Sequence, residues 1–135
     1  MSKPQVKISI WKILKDSVGK DLSKMAVPVY FNEPISMLQK VSEVLEYENL
    51  LVSASKEPDA GKRMLYLAAF GVANYHCSQN RISKPFNPIL GETFELSDEG
   101  NFRYVSEQVS HHPPISAGWA TSEHYDLWMN TAMKS

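Results

Sequence analysis

The stretch Thr93-Phe94-Glu95-Leu96-Ser97-Asp98-Glu99-Gly100-Asn101-Phe102-Arg103-Tyr104-Val105-Ser106-Glu107-Gln108-Val109 decides the fold class. From Thr93 the residues alternate: Phe94 and Leu96 lie on one face of an extended chain, Thr93, Glu95 and Ser97 on the other. Asp98-Glu99-Gly100-Asn101 is a hairpin-turn pattern that delivers the chain into a second strand, Phe102 to Val109. Beyond it, His111-His112-Pro113-Pro114 is expected to interrupt the ladder, because two prolines remove two donors. Pairing is then expected to resume over Ile115 to Thr121, with a last strand over Tyr125 to Ala132. This half of the chain reads as an antiparallel meander.

Upstream the periodicity changes. Lys84-Pro85-Phe86-Asn87-Pro88-Ile89-Leu90-Gly91-Glu92 reads as a proline-stiffened loop. Before it, Pro58 at a first helical turn, followed by Met64, Leu67, Ala68, Gly71 and Tyr75, predicts a helix to about Gln79. The small residues Ala68, Ala69, Gly71 and Ala73 predict a close-packed neighbour. Met37, Leu38, Val41, Val44 and Leu45 form an apolar helical stripe capped by Ser36, with Glu43, Glu46 and Glu48 away from most of it. Pro28 and Pro34 bracket an extended connector. Nearest the N-terminus, Ile10, Ile13, Leu14 and Val18 sit at helical spacing beside Trp11, with Ser9 as N-cap and Gly19 as stop. That helix either packs in a core or, with its Trp and flanking lysines, touches a membrane. Helices first and a meander second make an α+β layout.

Composition fits one globular domain: 135 residues, 43% hydrophobic, 21% charged, net charge −1. The near-neutral balance argues against a strongly basic nucleic-acid binder. The lone Cys77 forms no internal disulfide and fits a reducing compartment. No apolar run approaches the roughly 18 residues of a membrane span, and no secretory signal is visible, so the cytosol is the expected location. Charge is uneven: Met1 to Lys24 carries six lysines against Asp16 and Asp21, whereas Asn32 to Ala60 carries six acids against Lys40 and Lys56.

The residues with chemistry to offer are His111 and His112. Successive residues of a regular strand face opposite sides, so both rings converge on one ligand only where the ladder breaks, as at Pro113-Pro114. As zinc ligands they lack partners at familiar spacing among His76, Cys77 and His124, and with Ser110 they lack a nucleophile context, so neither metal nor catalytic residues are expected. Two readings stay open, solvated or singly bonded histidines and capture of an anion, for which imidazoles near neutral pH are suited. Lys84, held extended before Pro85, with Asn87 and the Gly91 backbone, adds a cation, an amide and an N–H if its loop folds beside the histidines.

Glu107-Gln108-Val109-Ser110-His111-His112-Pro113-Pro114 resembles the EQVSHHPP fingerprint of the oxysterol-binding-protein-related family, and an eight-residue match is very specific. Lys84 to Glu92, KPFNPILGE, resembles that family's second signature, and Leu22-Ser23-Lys24 with Pro28 and Phe31-Asn32-Glu33-Pro34 resemble further segments. The similarity runs from about Ile8 to the end of the chain. It implies a lipid-binding domain without enzymatic activity or cofactor: an incomplete β-barrel around one lipid, a helical layer, and an N-terminal lid. Residues 1–28 would be the lid region and a pocket-lining segment, 35–80 the helical layer, and 84–135 the signature loops and first barrel strands. His111 and His112 would hold the phosphate of phosphatidylinositol 4-phosphate. Lys84 and Asn87 would contact its headgroup. Leu22, Ser23, Lys24, Met25, Ala26 and Val27 would line the pocket near the lid. The implied activity is exchange of a sterol or phosphatidylserine for phosphatidylinositol 4-phosphate between membranes, with peripheral contact at organelle surfaces or contact sites. Because the family's domain is longer than this chain, the alternative is a non-transferring fragment that meets membranes or partners. An unfinished sheet would also leave an unpaired edge, a liability for self-association.

Overall fold

The computed structural model describes residues 32–77, 79, 81, 83–98 and 100–132, together with Lys15 and Val29. Met1–Phe31 and Asn32–Ser135 are separate compact units. The helix expected over Ile10 to Val18 lies, but for Lys15, outside the described residues, and so does the whole of Leu22 to Val27. In the second unit, strand β1 (Asn32–Ser36) leads into helix α1 (Met37–Ser42), a 3-10 segment (Glu43–Tyr47), α2 (Glu48–Lys56) and α3 (Ala60–His76). Strands β2 (Lys84–Phe86), β3 (Thr93–Asp98), β4 (Phe102–His111), β5 (Pro114–Thr121) and β6 (Asp126–Ala132) follow.

Each helix boundary has a local cause. Ser36 caps α1 as expected, its Oγ accepting from the Gln39 amide at 3.4 Å. The stripe from Met37 to Leu45 does not ride on one regular helix. The buried Ser42 hydroxyl donates to the Gln39 carbonyl at 2.7 Å, and the Glu43 N–H turns to the Lys40 carbonyl instead, tightening the backbone to 3-10 geometry. Pro58 is not in a first helical turn. It forces Glu57 into extended geometry, which ends α2, and the cap of α3 is the next residue, Asp59, whose Oδ1 accepts from the Lys62 amide at 2.8 Å. Helix α3 ends at His76, slightly short of the Gln79 expected.

The close neighbour expected over the small residues of α3 is absent among the described residues. Ala68, Ala69 and Gly71 are exposed, and a Cβ on Gly71 would meet nothing within 4 Å. Met64, Leu65 and Val72 are exposed beside them, and Tyr75 is 81% exposed. Helix α3 therefore carries far more uncovered apolar surface than an ordinary amphipathic helix. It packs instead on the 3-10 segment and on α2, where Leu51 and Ala54 are buried.

The four C-terminal strands form an antiparallel sheet in the order β3-β4-β5-β6, the meander that the sequence predicts. A separate parallel pair joins β1 to β2, with Asn32 opposite Lys84 and Ser36 opposite Phe86. The segment Lys84 to Phe86, expected as loop, is thus strand at its start; a two-stranded ribbon tolerates Pro85 because its outer edge needs no donor. Gly100, at φ +84°, turns the chain between β3 and β4, and the Asn101 side-chain amide donates to Asp98 Oδ2 at 2.6 Å. Along β4, Tyr104, Ser106 and Gln108 are buried while Val105, Glu107 and Val109 are exposed, so one face of the sheet meets the helical layer. Val44 and Leu45 pack there against Tyr104 and Ala120, with Phe70, Phe94, Phe102, Tyr125, Leu127 and Met129 around them. On the opposite face Trp119 and Trp128 are cross-strand partners, stacked at 6.3 Å with planes 8° apart.

Glycine is required at position 118 for packing. A Cβ there would come within 2.7 Å of Tyr104 Oη and 3.0 Å of its Cε2. Tyr104 is fully buried and cannot swing aside, and its hydroxyl has no hydrogen-bond partner among the described residues. Gly118→Ala is therefore expected to destabilise by about 1–3 kcal/mol through overpacking. Tyr104→Phe removes the nearest clashing atom together with an unsatisfied hydroxyl, so it should be tolerated alone and should recover part of the loss when combined with Gly118→Ala. Urea denaturation of the two single variants and the double variant reads both effects; additive losses would show that the tyrosine hydroxyl is not the obstacle.

Candidate functional site

The hairpin between β4 and β5 presents the two histidines. His111 pairs with Pro114, so only His112 and Pro113 stand outside the ladder, and pairing resumes one residue earlier than expected. A proline fits at the first position of β5 because a strand end there needs no donated bond. One further feature breaks the regular alternation. Between Gln108 and Ser110, β4 advances two residues while β5 advances one, from Ser116 to Ile115, which is a bulge at Val109. The His112–Pro113 peptide bond is cis. The imidazole rings lie edge to face with centroids 4.7 Å apart and planes at 68°. His111 Nδ1 is buried without a hydrogen-bond partner among the described residues, while His112 is exposed. A paired, partly uncommitted set of imidazole nitrogens can donate to one anion.

The loop from Asn87 to Glu92 docks on the same strand. Pro88 is fully buried, and Gly91 at φ +77° supplies the left-handed turn. Within the turn the Ile89 amide donates to Glu92 Oε2 at 3.0 Å, and the Glu92 amide to the Ile89 carbonyl at 3.1 Å. The turn is then fastened to β4 at Gln108. The Gly91 N–H donates to the Gln108 carbonyl at 2.9 Å, and the Gln108 N–H donates to the Glu92 carbonyl at 3.0 Å. The Gln108 side chain, 1% exposed, donates from Nε2 to Asn87 Oδ1 at 3.3 Å. Asn87 is therefore held against a residue three positions from His111.

Lys84 is placed differently. It is exposed at the start of β2, opposite Asn32, and its side chain makes no hydrogen bond to either histidine among the described residues. The structure thus joins Asn87 to the histidine strand and leaves Lys84 on the neighbouring ribbon. Leu22, Ser23, Lys24, Met25, Ala26 and Val27 lie outside the described residues. No three His, Cys, Asp or Glu side chains gather to hold a metal ion among the described residues.

Two supporting groups were not assigned roles in the sequence reading. Gln108 and Ser116 are buried polar residues whose side chains bond each other at 2.5 Å; Gln108 lies within the eight-residue fingerprint, whereas an inward position on its strand is the sequence signal for Ser116. Arg81 is the other. It donates to Glu43 and to the Cys77 carbonyl at 3.2 Å, and pairs with Glu33 at 3.1 Å, while Lys40 pairs with the other Glu33 oxygen at 3.4 Å. The hydrogen bond to Glu43 holds the Arg81 guanidinium above its ordinary pKa, against a smaller opposing effect of burial. The network ties β1, the 3-10 segment and the end of α3 together just before Lys84.

A helix-backed, open antiparallel sheet with a histidine-tipped hairpin and a docked Pro-Gly loop is part of the α+β fold of one particular family. The oxysterol-binding protein family model matches residues 9–135, and the chain belongs to that family. Oxysterol-binding protein homolog 1 of Saccharomyces cerevisiae is 53% identical over 123 residues, covering 90% of this chain and 10% of that protein. Among solved structures, the Osh1 ORD domain in complex with ergosterol is 48% identical at a TM-score of 0.78, covering 94% of this chain and 31% of that one. The Osh3 ORD of Saccharomyces cerevisiae in complex with PI(4)P is 40% identical at a TM-score of 0.75, covering 93% and 34%. The chain thus spans about a third of the solved domains.

The docking geometry makes a local prediction. Gly91→Ala forces a Cβ into the left-handed region and is expected to cost about 1–2 kcal/mol. The loss should fall on the loop first. Amide hydrogen exchange at Gln108 should accelerate ahead of exchange at Tyr104 in the sheet centre; equal acceleration at both sites would show that the loop is not a separately opening unit.

Proposed function

We propose that this chain is the N-terminal part of a lipid-binding and transfer domain, and that the β4–β5 hairpin with the Asn87 loop holds the phosphorylated headgroup of phosphatidylinositol 4-phosphate. The observation that carries this reading is the pairing of His111 and His112 at a hairpin tip whose strand also fixes Asn87 through Gln108. Two imidazoles and an amide supply several donors within one short segment, which suits a phosphate monoester better than the single neutral hydroxyl of a sterol. The Osh3 domain, solved with PI(4)P, and the Osh1 domain, solved with ergosterol, support the two lipid classes. The finer proposal is exchange of a sterol or phosphatidylserine for phosphatidylinositol 4-phosphate, without covalent chemistry.

In this reading Lys84 reaches the headgroup from the neighbouring ribbon, residues 1–28 form the lid region, and Leu22 to Val27 line the pocket beside it. Residues 35–80 are the helical layer and 84–135 the signature loops and first barrel strands. The protein works from the cytosol, peripheral on organelle membranes or at their contact sites. No helix among the described residues is long and apolar enough to cross a membrane. A second reading, a fragment that binds membranes or partners without transferring lipid, is favoured by the uncovered apolar side chains of α3.

Replacing both His111 and His112 with Ala should abolish extraction of phosphatidylinositol 4-phosphate from phosphatidylcholine vesicles while leaving sterol extraction largely intact. Charge-assisted contacts are worth about 1.5–3 kcal/mol each, so the expected loss in affinity is about two to four orders of magnitude. Lys84→Ala should act in the same direction with a smaller effect. Paired extraction assays on labelled lipids decide: unchanged phosphoinositide extraction by a folded double variant removes the histidines from the site. Vesicle binding without extraction of either lipid by the wild-type chain favours the second reading.

A further inference from the structure

Gln108 does more than fasten a loop. A carboxamide has two unlike ends, a carbonyl that accepts and an NH2 that donates, and which end faces a ligand decides whether an anion is attracted or repelled. We propose that Gln108 is a positioning residue that sets the orientation of the Asn87 amide, so that Asn87 presents its Nδ2 hydrogens to an anionic ligand. This rests on the reading of Asn87 as a headgroup contact.

The chain of donors begins at Ser116. Its buried hydroxyl donates to Gln108 Oε1 at 2.5 Å, and no other partner for that hydroxyl exists among the described residues. Turning the Gln108 amide over would leave the buried Ser116 hydroxyl proton without an acceptor among the described residues, an unfavourable outcome. With Oε1 committed to Ser116, Nε2 faces Asn87, which must accept through Oδ1, as it does at 3.3 Å. The remaining end of Asn87 is Nδ2. Asn87 is exposed, and its Nδ2 has no protein partner among the described residues, so both of its hydrogens are available. The polarity is transmitted from a hydroxyl to a buried amide to an exposed one, across β5, β4 and the loop. The backbone bonds between Gln108 and residues 91–92 hold the two amides at fixed separation while this happens.

The inference separates orientation from mere fastening. In Gln108→Glu the side chain keeps its size and still accepts from Ser116, but its ionised carboxylate also accepts from Asn87. Asn87 must then turn over, with Nδ2 inward and Oδ1 outward. Binding to phosphatidylcholine vesicles carrying phosphatidylinositol 4-phosphate should fall by about ten- to a hundredfold relative to wild type. As pH is lowered and the introduced carboxylate protonates, the side chain regains a donor, and the ratio to wild-type binding at the same pH should return toward one. A loss that pH does not relieve overturns the proposal, as does undiminished binding by the folded variant. Side-chain amide NMR of the wild-type chain supplies a test that needs no variant. The Gln108 NH2 should be protected from exchange and the Asn87 NH2 unprotected, and the reverse pattern overturns the proposal. Asn87→Ala distinguishes the layers: undiminished binding there defeats the headgroup reading of Asn87, whereas a loss there with Gln108→Glu behaving as wild type defeats the relay alone.

Discussion

The peptide unit and side chain of one buried residue, Gln108, hold the candidate site together. Its N–H and carbonyl clamp the turn at Gly91 and Glu92, and its amide lies between Ser116 and Asn87. A buried polar group with every hydrogen-bonding end engaged costs little and specifies much, because any shift of the loop would strand donors and acceptors away from water. The position of the loop relative to the histidine hairpin therefore follows from the register of β4. A slip of that strand by one residue would turn Gln108 outward and dismantle the site along with the core.

Register is in turn held by packing on the same face. Tyr104, four residues before Gln108, fills the space over Gly118 and touches the layer formed by Val44 and Leu45. A large ring against a glycine admits only one alignment of the two strands. Nearby, burial first and the Glu48 carboxylate second push the Tyr125 phenol far above its ordinary pKa. The Arg81 network performs a comparable task at the other end of the unit, fixing the entry to β2 through Glu33 and Glu43. Site and scaffold are thus not separable parts of this molecule. The inward residues of β4 that close the core, Tyr104 and Ser106, run without a break into Gln108, which orients the loop.

The meander was legible because its signals are local. Period-two alternation and the Asp-Glu-Gly-Asn turn depend on neighbours in sequence, and the strand limits came out within two residues. The α3 boundaries shifted because proline has two roles, starting a helix or ending the one before, and only the cap at Asp59 separates them. The 3-10 segment was hidden, since nothing in the apolar stripe announces that Ser42 will bond backward to Gln39. Small residues on α3 permit close packing but do not compel it, and among the described residues no close neighbour covers Ala68, Ala69 or Gly71. The histidines and Asn87 stood out by their motifs; Gln108 shares the histidines' motif but its role did not show, and Ser116 lies outside it, because a polar residue on a strand's inner face declares its role only when the partner strand is in place. Lys84 illustrates the converse, a residue of the right chemistry whose spatial relation to the histidines sequence cannot supply.

The strand order β3-β4-β5-β6 has a kinetic meaning. Every strand pairs with its immediate successor in the chain, so each closure spans a short loop and carries a small entropic cost. A sheet of this kind has low contact order and can zip from its turns, hairpin by hairpin, without waiting for distant chain to arrive. During synthesis from the ribosome, the histidine tip would be assembled as soon as β5 emerges, with β6 adding to a template already in register. The sheet can therefore form progressively from its turns, and the hairpin that carries His111 and His112 needs no contact with distant chain in order to close.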